Sequence, residues 1–235
     1  DERDMLIQRT PATRIQMVKH VLSGFIDRRA GDRIGLVLFA DHAYLQAPLT
    51  FDTNTVKQLL LEAQLGFAGQ KTAIGDAIGV SIKRLIERPA ESRTLILLTD
   101  GANNSGSVTP LEAGQLAAEQ GVKIYTIGIG SEKTTRGGIF GRSLRQNLSA
   151  DLDEATLTLI AEQSGGRYFR ATSPEQLEAI YAELDLLEPV EQNEQSFRPV
   201  KELFYWPLSL ALAAMLALLL PELRLNAQNP WQSKP

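Results

Sequence analysis

Apolar residues recur at helical spacing from about Arg14 to Arg28, where Ile15, Val18, Val21, Leu22, Phe25 and Ile26 share one face. Gly31 and Asp32 end that helix. Arg33 to Ala40 reads RIGLVLFA, a short continuous apolar run that predicts a strand buried on both faces. Ala43 to Leu49 is a shorter strand, pushed toward an edge by Pro48. A helix follows from Asp52 or Thr53 to about Leu65. A Gly-rich loop over 66–71 leads into a helix from about Ala73 to Arg88, and Thr94 to Thr99 is a further apolar strand. Thr109 and Pro110 form a cap-then-proline helix start, with the helix running to about Gln120. Val122 to Ile129 is another buried strand. A helix from Asp153 to Gln163 precedes a short strand at Arg167 to Arg170, and Ser173 with Pro174 opens a last helix to about Leu187. This alternation predicts an α/β fold: a doubly wound, mostly parallel sheet with helices on both faces. Ligands bind such sheets beyond the carboxyl ends of the strands. The loops that matter are then 40–43, 66–73, 100–108 and 130–150.

The pattern changes after residue 187. Residues 188–202 are polar and acidic, with Pro189 and Pro199, and read as a linker. Leu203 to Leu220 is an almost unbroken apolar run of about 18 residues, near the minimum for spanning a bilayer. Tyr205 and Trp206 stand at its start, where an interfacial aromatic belt would place them. The domain plan is therefore 1–187 for the α/β unit, 188–202 for the linker, 203–220 for a transmembrane helix and 221–235 for a tail. Arg198 and Lys201 before the run and Arg224 and Lys234 after it leave orientation unset by charge.

Composition narrows the chemistry. Hydrophobic residues make up 43% and charged residues 22%, a globular balance. A net charge of -4 argues against a nucleic-acid footprint. With no cysteine and only two histidines, His20 and His42, thiolate zinc sites, cysteine nucleophiles and Ser-His-Asp triads are poorly supplied. Oxygen ligands from Asp, Ser and Thr are plentiful and suit Mg²⁺, Mn²⁺ or Ca²⁺.

Two motifs fall on the predicted ligand face. Thr72 to Ala77 reads TAIGDA, where a Gly-rich loop meets a helix. Thr72 offers a hydroxyl, Gly75 lets another backbone come close, and Asp76 lies one turn on. A purely structural reading is also open, with Thr72 as a helix cap and Asp76 favouring the helix dipole. Leu95 to Gly106 reads LILLTDGANNSG, placing Asp100 at the carboxyl end of a strand. A hydroxyl and a carboxylate on neighbouring loops are what a hard cation needs.

Together these segments resemble the von Willebrand factor A (VWA) domain, and in particular the membrane-anchored bacterial aerotolerance-operon (Bat) type. The likeness extends through RIGLVLFADHAYLQAPLTFD, the strand from Lys123 to Gly130, GGRYFRATSPEQLEAIYAELDLLE and the C-terminal apolar run. The resemblance implies a metal-ion-dependent adhesion site (MIDAS) built from a DxSxS loop, a Thr and an Asp. Thr72 matches the Thr and Asp100 the Asp, with Asp76 and Gly75 supporting, Mg²⁺ as the usual ion, and a partner's acidic side chain completing the shell. It further implies sibling VWA proteins and a MoxR-type AAA+ ATPase as partners. The expected place is the bacterial inner membrane, with the VWA domain periplasmic and the tail cytoplasmic. The protein would not be an enzyme.

The chain departs from the family in one respect: no DxSxS occurs in it. The resemblance places that loop just upstream of Asp1, with the central first strand of the sheet, so the site is expected to be incomplete here and to bind metal weakly. Between that site and the last helices, Lys133, Arg136, Arg142 and Arg145 form a candidate basic rim for an acidic partner, or a solvated surface loop. Two other functions remain open. One is a metal-dependent hydrolase or phosphotransferase on a Rossmann-like sheet, for which neither a placed histidine nor a nucleophile elbow is evident. The other is the VWA subunit of an ATPase-driven chelatase-like machine.

Overall fold

A reciprocal cap starts the first helix: the Thr13 hydroxyl accepts from the Gln16 amide, and the Gln16 side chain accepts from the Thr13 amide. In the computed structural model, which describes residues 5–7, 10–64, 66, 69–130, 152–189 and 206–215, this helix is α1 (Arg14–Arg28). Ahead of it lies a short antiparallel hairpin of β1 (Met5–Ile7) and β2 (Thr10–Ala12). Its one sequence signal is the three-residue apolar run Met5–Ile7 in an otherwise mostly polar segment.

The sheet is in two parts. β3 (Ile34–Phe39) and β4 (Ala43–Thr50) form an antiparallel hairpin, while β5 (Thr94–Thr99), β6 (Lys123–Ile129) and β7 (Tyr168–Ala171) form a parallel sheet in that order. The expectation of a mostly parallel sheet therefore holds for β5 to β7 but not for β3 and β4, which no helix separates. Among the described residues no strand joins β3 to β5. The remaining helices are α2 (Thr53–Glu62), α3 (Ile74–Leu85), α4 (Pro110–Glu119), α5 (Glu154–Gln163) and α6 (Pro174–Leu187).

Strand alternation sorts the core. Ile96 and Leu98 of β5 face the side where Met17, Val21 and Phe25 of α1 pack with Tyr125, Ile127, Leu177 and Tyr181. Leu95 and Leu97 face the other side, with Ile78 and Ile82 of α3, Ala117 of α4 and Ile160 of α5. A third cluster joins Ile26 to Ala47, Val56 and Leu60, with Ile34 and Leu36 of β3 packed against it. Helix α1 thus contributes to clusters on both parts of the sheet, and Phe39 and Leu49 reach the α3 cluster from the β3–β4 side.

Burial corrects the expectation for β3 and is partial in β5. β3 has no fully buried residue, although its sequence predicts burial on both faces. In β5, only Leu97 and Thr99 are fully buried. The physical reason is pairing: among the described residues each of these two strands has a hydrogen-bonded neighbour on one edge only.

At the opposite, amino-terminal edge of the sheet, Glu188 ties off α6. It accepts from Tyr125 (2.7 Å) and Thr94 (3.2 Å) and pairs with Lys123. Burial works against its ionisation, but the hydrogen bonds from Lys123, Tyr125 and Thr94 outweigh it and hold its carboxyl below the ordinary range. The backbone carbonyls of Leu184 and Glu188 accept from the buried Arg29 guanidinium.

Residues 1–192 and 193–235 are separate compact units. In the second, residues 206–215 are helical and exposed. Among the described residues no helix is long and apolar enough to cross a membrane. The remainder of the 203–220 run, most of the linker and the tail lie outside the described residues.

Candidate functional site

Thr72 sits on the loop that enters α3, and its backbone is held from both sides. Its amide donates to Asn104 Oδ1 (2.7 Å), and its carbonyl accepts from the amides of Asn104 (3.0 Å) and Ser105 (3.2 Å). The next amide, Ala73, donates to the Ala40 carbonyl at the end of β3 (2.8 Å). The residue before α3 is Ala73, which makes no side-chain cap; instead Asn103 Oδ1 accepts from the Ile74 amide at 2.8 Å. The capping of α3 is thus supplied across the cleft from the loop after β5, and Thr72 is not the cap.

Asp76 reaches the same loop, accepting from the amides of Ser107 (2.8 Å) and Val108 (3.1 Å). Two glycines make this approach possible. A Cβ on Gly75 would stand 2.0 Å from the Val108 carbonyl oxygen, so only glycine lets α3 and the loop meet. Gly106 passes over the Asp76 carboxylate with φ of 102°, in the left-handed region that favours glycine.

Asp100 ends β5. The turn behind it is shaped by Thr99, whose hydroxyl donates to the Gly101 carbonyl (3.0 Å) and accepts from the Gly101 amide (3.3 Å). The Thr72 hydroxyl oxygen lies 3.6 Å from where a Cβ on Gly101 would be, so the fold does bring the Thr72 and Asp100 loops side by side. The Asp100 side chain is 63% exposed, and its Oδ2 lies 3.5 Å from Arg14 Nη1 at the start of α1.

A third loop closes the group. Asp41, after β3, accepts from the amides of Gln70 (2.9 Å) and Lys71 (2.7 Å), and its carbonyl accepts from the Ser105 hydroxyl (3.2 Å). The Lys71 hydrogen bond, with that from Gln70, holds the Asp41 carboxyl below its ordinary value of 3.8 against a smaller desolvation effect. Next to Gly101 and the start of α4 is a cavity of about 200 Å³ lined by Ile74, Asn103, Pro110, Leu111 and Asp153 among others.

The donor chemistry suits a hard cation, since Thr72 and Asp100 offer hydroxyl and carboxylate oxygens. The number of donors does not: Asp76 already serves two amides, both asparagine carbonyls are in use, and Asp100 faces a guanidinium. Among the described residues no three acidic or histidine side chains cluster to hold a metal. The described residues by themselves thus supply too few free oxygens to hold a cation. Lys133, Arg136, Arg142 and Arg145 lie outside the described residues. Sequence reasoning named Thr72, Gly75, Asp76 and Asp100 and pointed to the loops that hold Asp41, Asn103 and Asn104 without naming those three, and it missed Arg14. The signal for the asparagines was present in the doublet one residue after the TDG turn, since Asn side chains mimic and cap backbone. Arg14 and Asp41 carried no such local signal.

The von Willebrand factor type A domain profile matches residues 8–183. Among solved structures, BatB from Bacteroides thetaiotaomicron is 27% identical, with a TM-score of 0.60 over 79% of this chain and 94% of that one. An aerotolerance-related membrane protein from Bacteroides fragilis is 26% identical, with a TM-score of 0.59 over 77% and 92%. Proximal thread matrix protein 1 from the mussel byssus, solved with a zinc-occupied MIDAS motif, is 26% identical, with a TM-score of 0.57 over 73% and 40%. The chain spans about half the length of the curated relatives it matches, 47% and 57% of the first two. By profile, by fold and by the TAIGDA and TDG loops that meet at its sheet edge, the chain belongs to the von Willebrand factor type A domain family, with the Bat-type proteins as its kin.

Proposed function

We propose that this chain is a membrane-anchored, metal-dependent protein-interaction module of the bacterial cell envelope, and not an enzyme. The observation that carries the reading is the adjacency of the Thr72 hydroxyl and the Asp100 loop, on segments locked together by Asn103, Asn104 and Asp76. Thr72 and Asp100 would hold the cation, Mg²⁺ or else Mn²⁺ or Ca²⁺, with oxygens beyond the described set completing the shell. A bound divalent cation supplies the positive charge that an acidic side chain of a protein partner coordinates. The zinc-occupied MIDAS of the mussel relative supports a divalent ion at this position of the fold.

Lys133, Arg136, Arg142 and Arg145 would add positive charge that attracts the same partner. The 203–220 run would anchor the protein in the inner membrane, with the VWA domain periplasmic; the description of the Bacteroides fragilis relative as a membrane protein supports membrane association. Sibling VWA proteins and a MoxR-type AAA+ ATPase are the expected partners.

The test is affinity capture from detergent extract with the full chain as bait, in Mg²⁺ or in EDTA, with Asp100→Ala as control. Partners held in Mg²⁺ should be lost in EDTA and lost with Asp100→Ala. A partner set indifferent to both changes would rule out the metal-dependent mechanism.

A further inference from the structure

At the amino-terminal edge of the sheet, Arg93 gathers the ends of several elements. Its guanidinium donates to the carbonyls of Ile86 (3.0 Å), Arg88 (2.8 Å) and Gln120 (2.6 Å), at or just past the ends of α3 and α4. Its own carbonyl accepts from the Lys123 amide (2.9 Å), and the next residue, Thr94, donates to Glu188. With those carbonyls taken by Arg93, other cations of this edge are left over. Lys83 and Arg84, in the last turn of α3, are exposed, and among the described residues neither has an ion pair or a side-chain hydrogen bond. The dipole of α3 favours cations in that turn. It does not account for Arg88, which lies beyond the helix with its Nε buried and without a hydrogen-bond partner. Ile86, among these cations, is 41% exposed. Residues 83–93 hold Lys83, Arg84, Arg88 and Arg93 against Glu87 and Glu91, a local reversal of sign in a chain whose net charge is -4. The same edge is where the α/β unit leads into the rest of the chain. Leu203 follows Glu188 by about 15 residues, at most about 50 Å of fully extended backbone.

We propose that this edge, with Lys83, Arg84 and Arg88 around the exposed Ile86, docks on the anionic phospholipid headgroups of a bilayer. The inference rests on the reading of 203–220 as a membrane anchor. An anchored run keeps the edge within chain reach of the headgroups, so weak attractions suffice. Each Lys or Arg close to an anionic surface adds to the attraction, which fades within a Debye length. Long cationic side chains with no acceptor fixing their geometry suit a diffuse negative surface. Ile86 adds apolar area to the contact, and Glu87 opposes it, so the docking is reversible. Docked in this way, the unit turns its Thr72 and Asp100 loops away from the bilayer, toward a partner in solution.

The test reconstitutes the full chain in nanodiscs of phosphatidylcholine, with or without phosphatidylglycerol. The chain has no cysteine, so Ser92→Cys beside the edge and Ser107→Cys on the loop after β5, both exposed positions, each carry one fluorophore. Quenching by a spin-labelled headgroup reads proximity to the bilayer. The label at position 92 should be quenched more strongly when phosphatidylglycerol is present, and the label at position 107 should not respond. The ratio of docked to undocked chain should fall about two- to fivefold for each of Lys83→Gln and Arg84→Gln, rise about as much for Glu87→Gln, and fall at high salt. All three side chains are exposed, so thermal melting should be unchanged. Quenching at position 92 that ignores lipid charge, or that none of the three variants moves, overturns the docking and leaves the anchor standing. Stronger quenching at position 107 than at 92 overturns the choice of edge. A chain that an alkaline carbonate wash strips from phosphatidylcholine vesicles overturns the anchor, and the docking with it.

Discussion

β3 and β6 have similar sequences and different fates. IGLVLF and KIYTIGI are both dominated by apolar residues, yet six of the seven β6 residues are buried and none of the β3 residues is. β6 is hydrogen-bonded to β5 on one edge and β7 on the other, whereas β3 has β4 alone. Apolar composition makes a strand fit for burial, but a second neighbour and helices on both faces achieve it. The same contrast recurs within the site. Thr72 is fixed by partners on its amide and its carbonyl, while Asp100 projects from β5 with a long ion pair and a largely exposed carboxylate.

Removing core volume probes the first contrast most strongly. Ile127→Ala on β6, fully buried, should cost about 2–5 kcal/mol, and Leu36→Ala on β3 clearly less, by urea unfolding of the purified chain. Equal costs would mean that β3 is as closed as β6. The second contrast is tested at the close approach. Gly75→Ala drives a methyl into the Val108 carbonyl and should cost about 1–3 kcal/mol. Asp76→Ala, which strands the Ser107 and Val108 amides, should cost about 1–2 kcal/mol; a neutral result would show that the loop is held without it. The smallest effect is at Asp41. Its carboxyl is held below 3.8 in the folded chain, so the stability it gives is present above that value and is lost as pH falls through the lower folded value. Asp41→Asn should therefore flatten the acid limb of a pH–stability curve below about pH 4 and leave neutral pH almost unchanged. An unaltered acid limb would dismiss the loop's dependence on that charge.

What was legible in the sequence was local. The bounds of α1 follow from its apolar spacing, α4 from Thr109 and Pro110, and α6 from Ser173 and Pro174 through Leu187. The adjacency of the Thr72 and Asp100 loops was legible too, because a carboxylate after an apolar strand and a TAIGDA helix start both point to one end of the sheet. What was not legible depended on partners distant in the chain. The burial of β3 is decided by what stands on its edges, and the β1–β2 hairpin has only the short Met5–Ile7 apolar run to mark it. The pairing of Arg14 with Asp100 joins residues 86 positions apart, from the first turn of α1 to the end of β5.

Glu188 gives the molecule a polarity. It is bound at Thr94 and Lys123, where β5 and β6 begin, while Asp100 lies where β5 ends, about 20 Å away along six residues of strand. Helix α6 therefore ends at one pole of the α/β unit, and the Thr72 and Asp100 loops stand at the other. A load applied at Glu188 reaches the Thr72 and Asp100 loops only through the length of β5, so the sheet acts as a strut between the two poles.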